Sequence, residues 1–184
     1  MTMNEFMIIS ECYADTNLIE TLSPPTKGYN HQKGCNNVMK LMKEKFSNTF
    51  AVGIIDQDKR QASYLSEFEE IASTGSLYLY RHTQKPHYII QLSPALESFV
   101  LNCLKETDIP ADDYPFSSEL ETLRNKTKNI SSKKDPILRS LFKAIQNTHD
   151  CIVLKGWIEH LKTQTYSASA EILAGFTNNH SGKS

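Results

Sequence analysis

Long hydrophobic runs are missing from this chain of 184 residues. Phe6-Met7-Ile8-Ile9 and Phe50-Ala51-Val52-Gly53-Ile54-Ile55 are among the longest, well short of the roughly 18 consecutive apolar residues of a membrane span, so no membrane partner is expected. Excess charge is missing too. The 20 Lys+Arg nearly cancel the 21 Asp+Glu, leaving −1, which excludes a polybasic, histone-like binder and leaves room only for a local basic face. The 4 cysteines, Cys12, Cys35, Cys103 and Cys151, stand far apart. None has the two-residue gap through which neighbouring thiolates share a zinc ion or form a redox couple. The first residues, Met1-Thr2-Met3-Asn4-Glu5, lack the basic region and apolar stretch of a secretory signal. Reduced thiols and a cytoplasmic location are therefore expected. Glycine and proline are scarce, at 7 each, and no internal repeat is visible. One domain with a helical appendage is the expectation.

What is present alternates between strand-like and helix-like patterns. Phe6-Met7-Ile8-Ile9 reads as a strand buried on both faces. Asp15, most simply an N-cap, precedes Leu18, Ile19 and Leu22 in a helix that Ser23-Pro24-Pro25 stops. The polar stretch from Gly28 to Gly34 holds a very short strand around Tyr29-Asn30-His31, and Val38, Leu41, Met42 and Phe46 recur on one helical face. The second apolar strand ends abruptly in Asp56-Gln57-Asp58-Lys59-Arg60. A polar, helical stretch is expected from there to Ala72. Two strands follow, Ser76-Leu77-Tyr78-Leu79-Tyr80 and His87-Tyr88-Ile89-Ile90-Gln91-Leu92, as a hairpin. Ser93 and Pro94 suit the N-cap and first position of the next helix. Helices near 118–129, 135–147 and 150–164 complete the pattern. It predicts an α/β fold, a small parallel sheet flanked by helices with a helical C-terminal part. The expected divisions are a core over 5–105, an extension packed on it over 106–166 and a weakly ordered tail over 167–184.

The carboxylates carry the functional signal. In parallel α/β sheets, ligands collect beyond the carboxyl ends of the strands, where the strand order reverses. Glu11 lies just past the first apolar strand, and Asp56 and Asp58 just past the second. Residues two apart in an extended segment point the same way, so Asp56 and Asp58 can present both carboxylates to one hard cation. Magnesium favours such sites, keeping waters and taking substrate phosphate oxygens. The plainer reading is that acidic residues are common in loops after strands.

These residues resemble the Toprim domain. Ile9-Ser10-Glu11-Cys12-Tyr13-Ala14-Asp15-Thr16-Asn17-Leu18 is similar to its first motif, a Glu closing an apolar strand and an Asp opening the next helix. Gly53-Ile54-Ile55-Asp56-Gln57-Asp58 is similar to its Asp-x-Asp motif, and Lys33-Gly34-Cys35-Asn36-Asn37-Val38 resembles the glycine-led helix start between them. Ser93-Pro94-Ala95-Leu96-Glu97 resembles a later acidic motif of small stand-alone and old-family nuclease versions. The family often has Gly where this chain has Cys12. The resemblance, over roughly 5–105, implies a Toprim-like fold and magnesium-dependent phosphodiester or phosphoryl-transfer chemistry on nucleic acid or a nucleotide, with manganese as an alternative ion. Carried over by position, Asp56, Asp58 and Glu97 would hold the metal, Glu11 would act as general acid/base or second ligand with Asp15 supporting it, and Lys33, Gly34 and Lys59 would face substrate. The alternative is a non-catalytic Toprim-like or flavodoxin-like module that binds a nucleotide or a partner protein.

Other signals carry less. His31 and Cys35 lack the two further ligands of a zinc site. His82 and His87 flank a turn and are expected to be exposed, while Phe99, Leu101, Trp157 and Leu161 read as core. Gly182-Lys183-Ser184 mimics a phosphate loop with no helix to follow. Arg124, Lys126, Lys128, Lys133, Lys134 and Arg139 form the one basic concentration. It reads first as a solvated face, and more sharply as a surface contacting a nucleic-acid backbone beside the carboxylates.

Overall fold

The computed structural model describes residues 5–57, 63–109, 114, 120–128 and 130–178. The first apolar run becomes β1 (Ile8–Ser10), which pairs in parallel with the two-residue β2 (Asn30–His31) on one side and with β3 (Ala51–Asp56) on the other. Ile8 lies opposite Val52 and Ser10 opposite Ile54. With β4 (Phe68–Ser73), β5 (Leu77–His82) and β6 (His87–Leu92), the strands form one sheet in the order β2-β1-β3-β6-β5-β4. β6 runs parallel to β3, whereas β5 and β4 turn back antiparallel. The sheet is therefore mixed: the expected parallel part, four-stranded, is extended by an antiparallel edge that contains the expected β5–β6 hairpin and, beyond it, β4.

Helices α1 (Tyr13–Leu22) and α2 (Cys35–Glu44) make the two crossovers around β1, and α3 (Leu96–Lys105) follows β6. The C-terminal part contributes α4 (Leu120–Thr127), α5 (Pro136–Ile145), α6 (His149–Gln164) and α7 (Ala170–Asn178). Alternate strand residues feed two cores, as side chains pointing to opposite faces must. Ile8, Val52, Ile54 and Ile90 join Leu18, Phe99, Leu141, Phe142, Leu154 and Trp157 on one face. Ile9, Ala51, Ile55 and Ile89 meet Val38, Met39 and Met42 of α2 on the other. Burial on both faces is why these strands are apolar without interruption. Among the described residues no helix is long and apolar enough to cross a membrane.

β3 and α2 approach so closely that Gly53 has no space for a side chain. An added Cβ would meet Ile89 Cδ1 at 2.7 Å, Met42 Sδ at 2.9 Å and Val38 Cγ1 at 3.0 Å. Gly53→Ala is expected to destabilise the fold by about 1–3 kcal/mol through overpacking, read as a lower urea midpoint at unchanged slope. An unchanged midpoint would mean that α2 can move away at no cost.

Several local expectations are corrected. The stretch before Ala72 holds a short 3-10 turn (Ser63–Glu67) and then strand β4, not a helix. β4 is an edge strand with a register shift between Glu70 and Ala72. Its residues therefore do not alternate strictly, with Phe68 packed on the α2 side of the sheet and the consecutive Ile71 and Ala72 both on the other. α1 is capped by Cys12, with Asp15 in its first turn, and α3 begins at Leu96 after Ala95 rather than at Pro94. The expected weakly ordered tail carries α7, whose Leu173 is fully buried and accepts a hydrogen bond at its carbonyl from Trp157 Nε1 at 2.8 Å.

His82 and His87 are buried rather than exposed, because β5 and β6 lie inside the sheet and Tyr64 covers their ends. His87 Nε2 donates to the Thr49 carbonyl at 3.1 Å and Nδ1 accepts from the Tyr64 hydroxyl at 2.6 Å. Burial pushes the His87 pKa down to about 4, so the ring stays neutral. Phe99, Trp157 and Leu161 are buried as expected, and Leu101 is half-buried.

Candidate active site

β1 is the point where the strand order reverses: one crossover leaves it toward β2 and the next returns to its other side at β3. The carboxyl ends of β1 and β3 thus flank the crevice where α/β sheets bind ligands. Glu11 and Asp56 sit at those ends. The Glu11 amide donates to the Ile54 carbonyl at 2.9 Å, and its carbonyl accepts from the Gly34 amide at 3.1 Å. Its Oε2 accepts from the Asp56 amide at 3.0 Å. Glu11 is thereby clamped across both strands and the start of α2. Gly34 holds a φ of +85° there, a conformation that side-chain-bearing residues rarely adopt.

Asp15 enters from the first turn of α1. Cys12 and Asp15 form a reciprocal cap, with the Cys12 amide donating to Asp15 Oδ2 at 3.0 Å and the Asp15 amide donating to Cys12 Sγ at 3.3 Å. Asp15 is fully buried, and its Oδ1 has no hydrogen-bond partner among the described residues. A buried, unpartnered carboxylate oxygen is costly unless something supplies positive charge or a proton. The Cys12 thiol is pushed far up by burial and by the Asp15 charge, so it is neutral and no nucleophile.

Asp56 reaches the other way. Its Oδ1 accepts from the Leu96 amide at 2.9 Å, so a side chain from β3 caps α3. Beside it, Glu97 in the first turn of α3 accepts a hydrogen bond at Oε1 from the Thr127 hydroxyl at the end of α4. Glu11, Asp15, Asp56 and Glu97 stand close enough for their charges to act on one another. Burial, then the charges of Asp15, Glu11 and Glu97, push the Asp56 pKa up to about 9. Burial and the charges of Glu11 and Glu97 push Asp15 up to about 7.

Four of the expected site carboxylates are thus gathered by three separated segments of chain. Asp58 and Lys59 lie outside the described residues. Lys33 is exposed beside β2, and Gly34 serves the backbone of Glu11. Among the described residues no group of three or more His, Cys, Asp or Glu stands in ligating arrangement. Two participants were not foreseen, Thr127 and the Leu96 amide. His31 stacks on Tyr13 with ring centroids 3.8 Å apart and planes 17° apart. No signal in the chain pointed to Thr127, which belongs to the extension rather than to the motifs.

A scan against protein-family models finds no match, and neither the curated proteins nor the solved structures yield one.

Proposed function

We propose that this chain is a Toprim-like, magnesium-dependent enzyme that breaks or transfers phosphodiester bonds in nucleic acid. The observation that carries the reading is the gathering of Glu11, Asp15, Asp56 and Glu97 at the strand-order reversal, with Asp15 Oδ1 buried and unpartnered. Hard carboxylate oxygens suit magnesium or manganese, and a cation would offset the burial and the repulsion that raise both aspartates. Asp56 and Glu97, with Asp58, would hold the ion. When bound, it would neutralise charge developing on a phosphoryl group and orient a water. Glu11, whose Oε2 accepts from the Asp56 amide at 3.0 Å, would move a proton. Asp15 holds the first turn of α1 in register with Glu11 through the cap on Cys12. Lys33 and Lys59 would face the substrate.

A second reading, a binding module without catalysis, draws support from Cys12 at a position where the family often has Gly. One experiment separates the two. Purified protein is expected to nick supercoiled plasmid or degrade single-stranded RNA with magnesium or manganese, and to stop in EDTA. Cleavage that is absent with either ion favours the binding module; cleavage that persists in EDTA removes the metal from the mechanism.

A further inference from the structure

From Thr122 to Lys134 the chain carries five cations and no carboxylate, in a protein whose net charge is −1. This segment is tied to the carboxylate site at two points. The Thr127 hydroxyl donates to Glu97. Asn17, half a turn past Asp15 on α1, donates through Nδ2 to the Ser132 carbonyl at 2.8 Å and to the Asp135 carbonyl at 3.2 Å. Burial of Leu123 and Thr127 directs Arg124 and Lys128 outward. Lys126 is neutralised by Asp135 at 2.6 Å, and Arg139 lies 3.7 Å from Glu20. Among the described residues, no carboxylate forms an ion pair with Arg124, Lys128, Lys133 or Lys134.

Lys133 has a second neighbour. Its charge and that of Lys33 act on His31, whose pKa is lowered first by burial and then by these two lysines. The His31 ring is stacked on Tyr13, both are half-buried, and its Nε2 is enclosed without a partner among the described residues. Tyr13 opens the helix that carries Asp15. Exposed Arg124, Lys128 and Lys134 and half-buried Lys133 thus belong to a segment joined to Glu97 and Asn17. The Tyr13–His31 pair lies within reach of the Lys133 charge, at the start of the helix that carries Asp15, so cations, stacked rings and carboxylates make up one strip. A lone phosphate or nucleotide would need only one end of such a strip. A polynucleotide strand alternates phosphates with stackable rings and matches its whole length.

We infer that Arg124, Lys128, Lys133 and Lys134 form a backbone-contacting track that leads a single nucleic-acid strand past Tyr13 and His31 to the carboxylates. The inference deepens the proposed function and rests on it. The test is fluorescence anisotropy of a fluorescein-labelled, mixed-sequence single-stranded DNA with the full chain in EDTA, so that binding is read without cleavage. Four phosphate contacts predict that log Kobs falls against log salt with a slope of about −3, at about −0.7 per contact on single strands. The pairs Arg124→Gln with Lys128→Gln, and Lys133→Gln with Lys134→Gln, should each make that slope shallower by about 1.4. Lys155→Gln, at an exposed position of the largely buried α6, should leave it unchanged. Thermal melting of every variant checks that the fold is kept.

No binding by the wild type, or slopes that stay equal in the paired variants, would overturn the track. Failure here is distinguishable from failure of the enzyme reading. Magnesium-dependent cleavage with unaltered slopes removes the track and leaves the enzyme; the expected slopes without any cleavage support the track and remove the chemistry.

Discussion

Metal-free protein is expected to lose stability as the pH rises from about 6.5 to about 8.5, and magnesium to restore it. In the unfolded chain, Asp15 and Asp56 release their protons near the ordinary value of 3.8. In the folded chain, burial and the neighbouring carboxylates hold those protons up to about 7 and about 9. Through this window the native state binds more protons than the unfolded state, so raising the pH favours unfolding. Asp56 contributes most of the slope above pH 7, and a single proton over this span amounts to about 2 kcal/mol. For a chain of this length that is a fall of about 4–8 °C in Tm. His87 acts with the opposite sign, since its folded value near 4 lies below 6.5 and its contribution is lost as pH falls between those values. That window is separate from the one measured.

On the proposed reading magnesium would bind the ionised carboxylates, so its stabilisation should grow with pH. At about 100 times its Kd it adds about 2.7 kcal/mol by mass action. Asp56→Asn preserves an oxygen for the Leu96 amide while removing the charge. This variant should be more stable than the wild type at pH 8.5 in EDTA and insensitive to magnesium. Differential scanning fluorimetry at pH 6.5, 7.5 and 8.5, with and without the ion, reads all three effects. A Tm that is flat with pH and unmoved by magnesium in the wild type would mean that the carboxylates are satisfied without a cation.

The parts of this site that can be read from the chain are those that burial forces into composition. β1 and β3 lie inside the sheet and so appear as unbroken apolar runs, which makes the positions after them, Glu11 and Asp56, conspicuous. Their adjacency depends on strand order, which no local pattern encodes; the register of Ile8 on Val52 supplies it. The start of α3 is not legible in the chain because its cap comes from Asp56, distant in sequence, and not from the nearby Ser93. β4 leaves no strand pattern because an edge strand with a bulge loses its alternation. Thr127 and Ser132 meet the site only through tertiary contacts with Glu97 and Asn17, and short polar residues in a basic stretch give no advance sign of that.

Glu11→Gln and Asp56→Ala are expected to abolish magnesium-dependent cleavage in different ways. Gln at position 11 still offers an oxygen to the Asp56 amide, so the clamp between β1 and β3 survives. What disappears is the capacity to take up a proton. A positioned general acid/base contributes about 10²–10⁴-fold, so kcat should fall by that factor while the magnesium concentration for half-maximal activity and the binding of uncleaved DNA stay near wild type. Asp56→Ala removes the proposed ligand and the cap on the Leu96 amide together. Its activity should be lost with the magnesium requirement raised, and part of it should return at high manganese if the remaining carboxylates still hold an ion. Cys12→Gly is the companion change. It gives up the thiol that accepts from the Asp15 amide, at a cost of only a few tenths of a kcal/mol because glycine is tolerated at an N-cap. It also opens space beside Glu11. Cleavage that appears only in Cys12→Gly would mark the natural chain as a lapsed enzyme that still binds its strand. Cleavage persisting at wild-type rate in both Glu11→Gln and Asp56→Ala would place the chemistry elsewhere, because neither a proton acceptor nor a cation ligand at this crevice would then be needed.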